Sequence, residues 1–254
     1  MVSVKTRRVA VPMVLACAGV LAGTTTAHAQ SGGLSVTPAA LEHTARRGTV
    51  GSLTLNNTTK ETLKVTVTVR PWRQELFGNV VIDMRSTLSK YVRATSRSFR
   101  IGRGAKRPVT FRMLRGTGSG SLYGAVDVLG KPTNTKGRKG IIPNYRLVSK
   151  IRLNAASKKR KYRIKTGGAQ VRSGVVVLPV RNLGNTIDPI AASYSISGPS
   201  GRRGSAKAVA ALPGKLVGLN LGASRGMKKG RYTVTAKVTQ AGRSVNTRSS
   251  FTIR

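Results

Sequence analysis

Acidic residues are the scarcest charge in this sequence: six Asp and Glu stand against 46 Lys and Arg in 254 residues. Histidine occurs twice, at positions 28 and 43, and the one cysteine is Cys17. The six carboxylates (Glu42, Glu61, Glu75, Asp83, Asp127 and Asp188) are scattered. No Ser-His-Asp arrangement and no zinc site can be assembled from this stock, because both chemistries need several such groups converging on one point. The chain therefore reads as a non-enzyme with no cofactor and no metal. Glu42 and His43 are adjacent, so on a strand they point to opposite faces and read as a surface pair. Aromatics make up 4%, which leaves no stacking motif for single-stranded nucleic acid. The single tryptophan, Trp72, reads as a core residue of a small sandwich.

Long apolar runs are also missing. The longest, Val9 to about Ala22, falls short of the roughly 20 residues of a membrane span. It follows Lys5, Arg7 and Arg8 and precedes Ala27-His28-Ala29, the three-part layout of a secretory signal with cleavage after Ala29. Residues 1-29 are thus expected to be a signal peptide, leaving 225 of 254 residues with no membrane span and no cysteine. Val14-Leu15-Ala16-Cys17 gives a competing reading, a lipoprotein box with Cys17 acylated. Export without disulfides points to a bacterial envelope, periplasmic or secreted, where the fold rests on apolar burial alone.

What is abundant is positive charge. Removing the three basic residues of the signal takes the whole-chain +40 to +37. Self-repulsion of that size opposes compaction and attracts polyanions.

The pattern is that of β-strands. Leu63-Lys-Val-Thr-Val-Thr-Val-Arg70 and Val109-Thr-Phe-Arg-Met113 alternate apolar with polar residues, as a strand with one buried face does. Further strands are expected at Ser52 to Leu55, Ser98 to Ile101, Leu122 to Val128, Asn144 to Leu153 and Lys161 to Lys165. A second set covers Gly174 to Val180, Ala192 to Ser197, Leu216 to Leu221, Tyr232 to Val238 and Ser249 to Ile253. Asn-Asn and Gly-rich segments punctuate them. Gly116, Gly118 and Gly120 do not put a third glycine at the spacing of a dinucleotide loop, no helix follows them, and they read as a hairpin. Gly130 to Gly140 reads as a mobile cationic loop. The expected fold is all-β, two tandem immunoglobulin-like sandwiches at 30-166 and 167-254.

The segments LSVTPAALEHTARRGTVGSLTLNNTT, FRIGRGAKRPVTFRM, SLYGAVDVLG and NYRLVSKIRLNAA resemble the N-terminal sandwich of periplasmic pilus-assembly chaperones. TLSKYVRATSRSFRIGRGAKRPVTFRM followed by SLYGAVDVLG is also similar to tandem-sandwich Gram-positive surface proteins of the WxL-interacting type. The chaperone resemblance implies a carboxylate anchor made by a first-strand arginine and a late lysine of domain one. The late lysine falls on Arg152, but the arginine falls near Ala40 or Leu41, which cannot bind a carboxylate. It also implies a last strand that presents alternating apolar residues to a partner, at Pro143, Tyr145 and Leu147.

Two sets of candidates follow. Arg146, Lys150, Arg152, Lys158, Lys159, Arg160, Lys161, Arg163 and Lys165 are expected on wet strand faces and turns, where they would bind repeated anions. Tyr145, Leu147 and Ile151 are candidates for a strand-addition edge. The leading expectation is an exported envelope protein binding an anionic surface polymer, such as a teichoic or uronic acid chain, or an acidic protein partner. The alternative is an assembly chaperone working by strand addition. A third reading, nucleic-acid binding, is disfavoured by the export signal and the lack of a recognition helix.

Overall fold

The computed structural model describes residues 33–76, 79–137 and 139–254. The expected signal segment, its expected cleavage site and Cys17 lie outside the described residues. Among the described residues the chain forms strands and one 3-10 turn, Ser157–Lys159, with no α-helix. The first ten strands are β1 (Leu34–Thr37), β2 (Ala40–Thr44), β3 (Gly48–Asn57), β4 (Leu63–Gln74), β5 (Val80–Ile82), β6 (Val92–Ala94), β7 (Ser98–Ile101), β8 (Lys106–Met113), β9 (Leu122–Pro132) and β10 (Tyr145–Asn154). The remaining eight are β11 (Ile164–Thr166), β12 (Gln170–Arg172), β13 (Val175–Asn182), β14 (Ile190–Ser197), β15 (Arg202–Val209), β16 (Leu216–Ala223), β17 (Gly230–Gln240) and β18 (Arg243–Ile253).

β1 to β10 build two sheets. One has the order β1-β3-β8-β6; the other has β2-β10-β9-β4-β5, with β7 also on β4. The alternation in the sequence explains the layering. Val65, Val67 and Val69 of β4 are buried while Lys64 and Thr66 face water, and Val109, Phe111 and Met113 do the same on β8. These side chains close one core between the sheets with Leu53, Leu55, Ile151 and Leu153. β9 departs from alternation: Leu122 through Val128 are all buried. On its outward face Tyr123 Oη donates to Asn154 Oδ1, and Asp127 accepts from Arg70, whose Nη1 in turn reaches Met84 C=O.

β11 to β18 build a second pair of sheets around a separate core, β11-β13-β12 with β16 on β13, and β15-β14-β17-β18. Fully buried Tyr232 stacks on Phe251 with ring centroids 5.3 Å apart. Its hydroxyl donates to Lys228 C=O at 2.8 Å, so the polar end of the ring is satisfied inside the sandwich. A Cβ on Gly198, at φ 149°, would press into that ring.

Several expectations shift. The strand expected at Lys161 to Lys165 begins only at Ile164, since Lys161 N–H donates to the Asn185 side chain instead of to a ladder. β11 pairs with β13, Ile164 opposite Asn182, so the chain enters the second pair of sheets a few residues before 166. β9 continues to Pro132, opposite Leu63, so the irregular segment expected from Gly130 starts at Thr133. Trp72 is half-buried at the end of β4 opposite Ile82 and stands outside the core. Valine and leucine fill the interior, leaving an indole no place there.

The irregular stretch 133–144 carries Lys136 and Lys139, and its described residues are exposed. Trypsin under native conditions is therefore expected to cut there before any cut within β4 or β9, because exposed backbone with few internal bonds opens at least cost. Mass analysis of the first fragments checks this.

Candidate functional site

β10 positions most of the candidates. Its inward residues Tyr145, Leu147, Ser149, Ile151 and Leu153 alternate with outward Arg146, Val148, Lys150 and Arg152. On one side it pairs with β9 along nearly its whole length, Tyr145 opposite Gly130 to Leu153 opposite Leu122. On the other side the parallel strand β2 covers only Lys150 to Asn154. The cover ends where Lys150 N–H donates to Ala39 C=O and Ser149 Oγ donates to Pro38 C=O. N–H and C=O of one strand residue point the same way, and alternate residues point the same way. Since Lys150 bonds outward, Arg146 and Val148 direct their main-chain groups to the same side, where no strand lies among the described residues.

Exposed large apolar side chains lie on β10 and just before it in the chain. Ile141 is 98% exposed, Ile142 36% and Val148 47%. Tyr145 and Leu147 are half-buried, leaning on the core from the rim. Ile151, the third edge candidate, is fully buried and lies opposite Leu41 of β2, so it belongs to the core and to the covered part of the strand. Other edges are closed differently. Beside β4, between β7 and β5, Arg97 C=O accepts Val67 N–H and Leu88 N–H donates to Val69 C=O. At β18, Ser249 Oγ accepts Ala169 N–H and Thr247 meets Thr166.

The basic candidates divide into three groups. Arg146 is spoken for: its Nε and Nη2 donate to the two oxygens of Asp127, both at 2.8 Å, and Arg70 Nε donates to Asp127 Oδ2 at 2.8 Å. Asp127 is 5% exposed. Burial pushes its carboxyl pKa up, but the hydrogen bonds from Arg146 and Arg70 outweigh this and hold it below the ordinary value of 3.8. Arg152 donates to Glu42 Oε1 at 3.1 Å, directly across from it on β2. Lys150 is exposed between them. Nothing in the sequence pattern singled out Asp127, whose two partners come from strands 57 and 19 residues away.

Lys158, Lys159 and Lys161 form the second group. They come together with the Thr117–Gly120 turn and the 183–185 turn around a pocket of about 640 Å³. Arg160 lies in the same segment, but its Nε donates to Ala155 C=O at 3.3 Å. The third group, Arg163 and Lys165, is exposed at β11, with Lys165 opposite Arg181. The glycines read as a hairpin loop do close a turn, Gly120 N–H to Thr117 C=O. That this turn would meet three lysines could not be read from local pattern.

No protein-family model matches the sequence, and no curated protein matches it. Solved structures do. The chaperone–tip adhesin complex of CFA/I fimbriae biogenesis matches with a TM-score of 0.54 at 10% identity, covering 85% of this chain and 98% of that one. The fold is like that of pilus-assembly chaperones. The class 5 fimbriae chaperone CfaA matches with a TM-score of 0.49 at 11% identity over 85% of this chain and 98% of its own. The E. coli chaperone DraB matches with 0.44 at 16% identity over 88% and 97%. At these identities the likeness is one of fold. At the places the resemblance assigns to a carboxylate anchor, Arg152 is engaged by Glu42, and Ala40 and Leu41 offer no charge.

Proposed function

We propose that this is an exported, non-catalytic protein that captures an extended, acidic segment of a partner protein by strand addition at β10, in the manner of an assembly chaperone. One observation carries the reading: among the described residues the outward main-chain groups of Arg146 and Val148 are unpaired, and exposed Val148, Ile141 and Ile142 lie on or just before the same strand. An exposed edge with apolar neighbours is a template for another strand. The incoming strand would bond the main chain of Arg146 and Val148, cover Tyr145 and Leu147 with its inward side chains, and face Lys150 on its outer side. Cationic surroundings select acidic flanks and speed encounter more than they hold the complex.

Hydrogen exchange of the full chain with and without a synthetic peptide of alternating apolar and acidic residues tests this. Protection is expected to rise at the amides of Arg146 and Val148 and to stay constant in β13 to β18. Protection that rises elsewhere while Tyr145 to Val148 stays unchanged would refute the reading.

A second reading, the binding of an anionic surface polymer, is supported by the +40 charge of the sequence and by the gathering of Lys158, Lys159 and Lys161 at one pocket. Neither reading calls for a bound cofactor.

A further inference from the structure

We propose that the pocket between the Thr117–Gly120 turn and the Lys158–Lys161 segment is a site for a tetrahedral, multiply charged oxyanion of the phosphate class. The proposal deepens the polymer reading by giving it a discrete site, and it is independent of strand capture.

Three features of the pocket converge. Its charge is uncompensated: no acidic residue lines it, and none of the described ion pairs involves its three lysines. A cleft lined by one sign of charge focuses its field on the space between. Its frame is fixed by one side chain. Asn185, 7% exposed, donates from Nδ2 to Ser119 C=O at 2.8 Å and to Lys159 C=O at 3.0 Å, and accepts Lys161 N–H on Oδ1 at 2.7 Å. Both walls are thus tied together before any ligand arrives, which lowers the cost of ordering them on binding. A Cβ on Gly184 would collide with the Lys161 carbonyl, so the approach of these walls requires glycine there.

The third feature is a supply of neutral donors. The turn closed by Gly120 N–H and Thr117 C=O leaves the N–H groups of Gly118 and Ser119 without a protein partner among the described residues. Free turn N–H groups beside cations make a receptor for anionic oxygens. The three lysines serve as point charges, a role lysine also plays toward phosphate oxygens. Arg160, the one arginine of the segment, is turned away to Ala155 C=O.

The oxyanion could be free in solution or part of a phosphodiester polymer. Calorimetry on the full chain in phosphate-free buffer at low salt, with pyrophosphate and then a glycerol-phosphate polymer, distinguishes them. Pyrophosphate affinity is expected to fall about tenfold when Lys158, Lys159 and Lys161 are all changed to Gln, as three nearby charges imply. Changing Lys228, Lys229 and Lys237 to Gln removes equal charge elsewhere and is expected to cost less than about twofold. Gly118→Pro, which deletes one turn N–H and no charge, is expected to weaken binding severalfold, with circular dichroism as the folding control. Equal losses in the two triple variants, or displacement of pyrophosphate by acetate at the same concentration, would overturn the site. Binding of both ligands through the three lysines assigns it to the polymer's phosphates, and binding of pyrophosphate alone assigns it to a free anion. Polymer binding that persists undiminished in the Lys158, Lys159, Lys161 variant removes this pocket while leaving the broader polymer reading intact. Retained pyrophosphate binding in a β10-edge variant keeps the test separate from strand capture.

Discussion

Replacing Val148 with proline is expected to abolish strand capture while leaving the protein folded. Val148 directs its N–H to the bare side of β10, so proline removes a donor that has no partner among the described residues. Proline is tolerated at such an edge position, while in a central strand it would break the ladder. For the incoming strand the loss is larger. It would meet a ring where a hydrogen bond and close approach are needed, and an unsatisfied group at a dried interface costs about 1–3 kcal/mol on its own. Tyr145→Ser with Leu147→Ser attacks the same docking through its apolar contacts and is expected to weaken it by at least about a hundredfold, given about 1.5–3 kcal/mol for each large side chain buried. Peptide titration by fluorescence anisotropy, with thermal unfolding as the control, reads both. Capture that survives both variants would show that the partner binds elsewhere.

Asp127→Ala is expected to be the most destabilising single change outside the cores. The carboxylate lies beneath the 83–88 segment with Arg70 on one side and Arg146 on the other. The Arg70 side chain is 18% exposed and that of Arg146 is 48% exposed, so the loss falls mainly on Arg70, which cannot return to water without moving the covering segment. Removing one partner of a buried pair costs about 3–5 kcal/mol, and the open side of Arg146 places this case near about 3 kcal/mol. Urea unfolding would measure it.

The same group sets an acid limit. Its pKa in the folded chain is below the ordinary 3.8, so near that pH the folded chain binds fewer protons than the unfolded one. Its contribution is therefore complete above the unfolded value and is lost as pH falls through the folded value. In the Asp127→Asn variant this part of the acid sensitivity should disappear, leaving a flatter stability profile below about pH 4. An unchanged acid profile would show that other carboxylates govern it.

The Arg70–Asp127–Arg146 cluster also bears on capture, because it ties β10 to the centre of the sheet just where its outer side is bare. An edge strand held on one side only would otherwise fray.

Alternation in the sequence by itself determined the all-β class and many of the strands. Leu63 to Arg70 and Val109 to Met113 can bury one face only as strands, whatever their neighbours are. The short strands β1, β2, β5, β6 and β12, three to five residues each, carry too few alternations to stand out from turns. β15, RRGSAKAV, is polar along most of its length because it edges its sheet.

Only the tertiary structure decided which basic residues are free and which edge is bare. Arg146 and Lys150 look alike in the sequence, yet one is locked to Asp127 and the other faces solvent, a difference set by a strand 19 residues away. Tyr145, Leu147 and Ile151 share one alternation, but β2 ends opposite Lys150 and leaves only the first two at the rim. The lysines at 158, 159 and 161 meet the turn at 117–120 because Asn185, from a third segment, bonds to both. Periodicity reports which face of a strand is dry. Which partner covers that face, or leaves it open, depends on contacts between residues far apart in the chain.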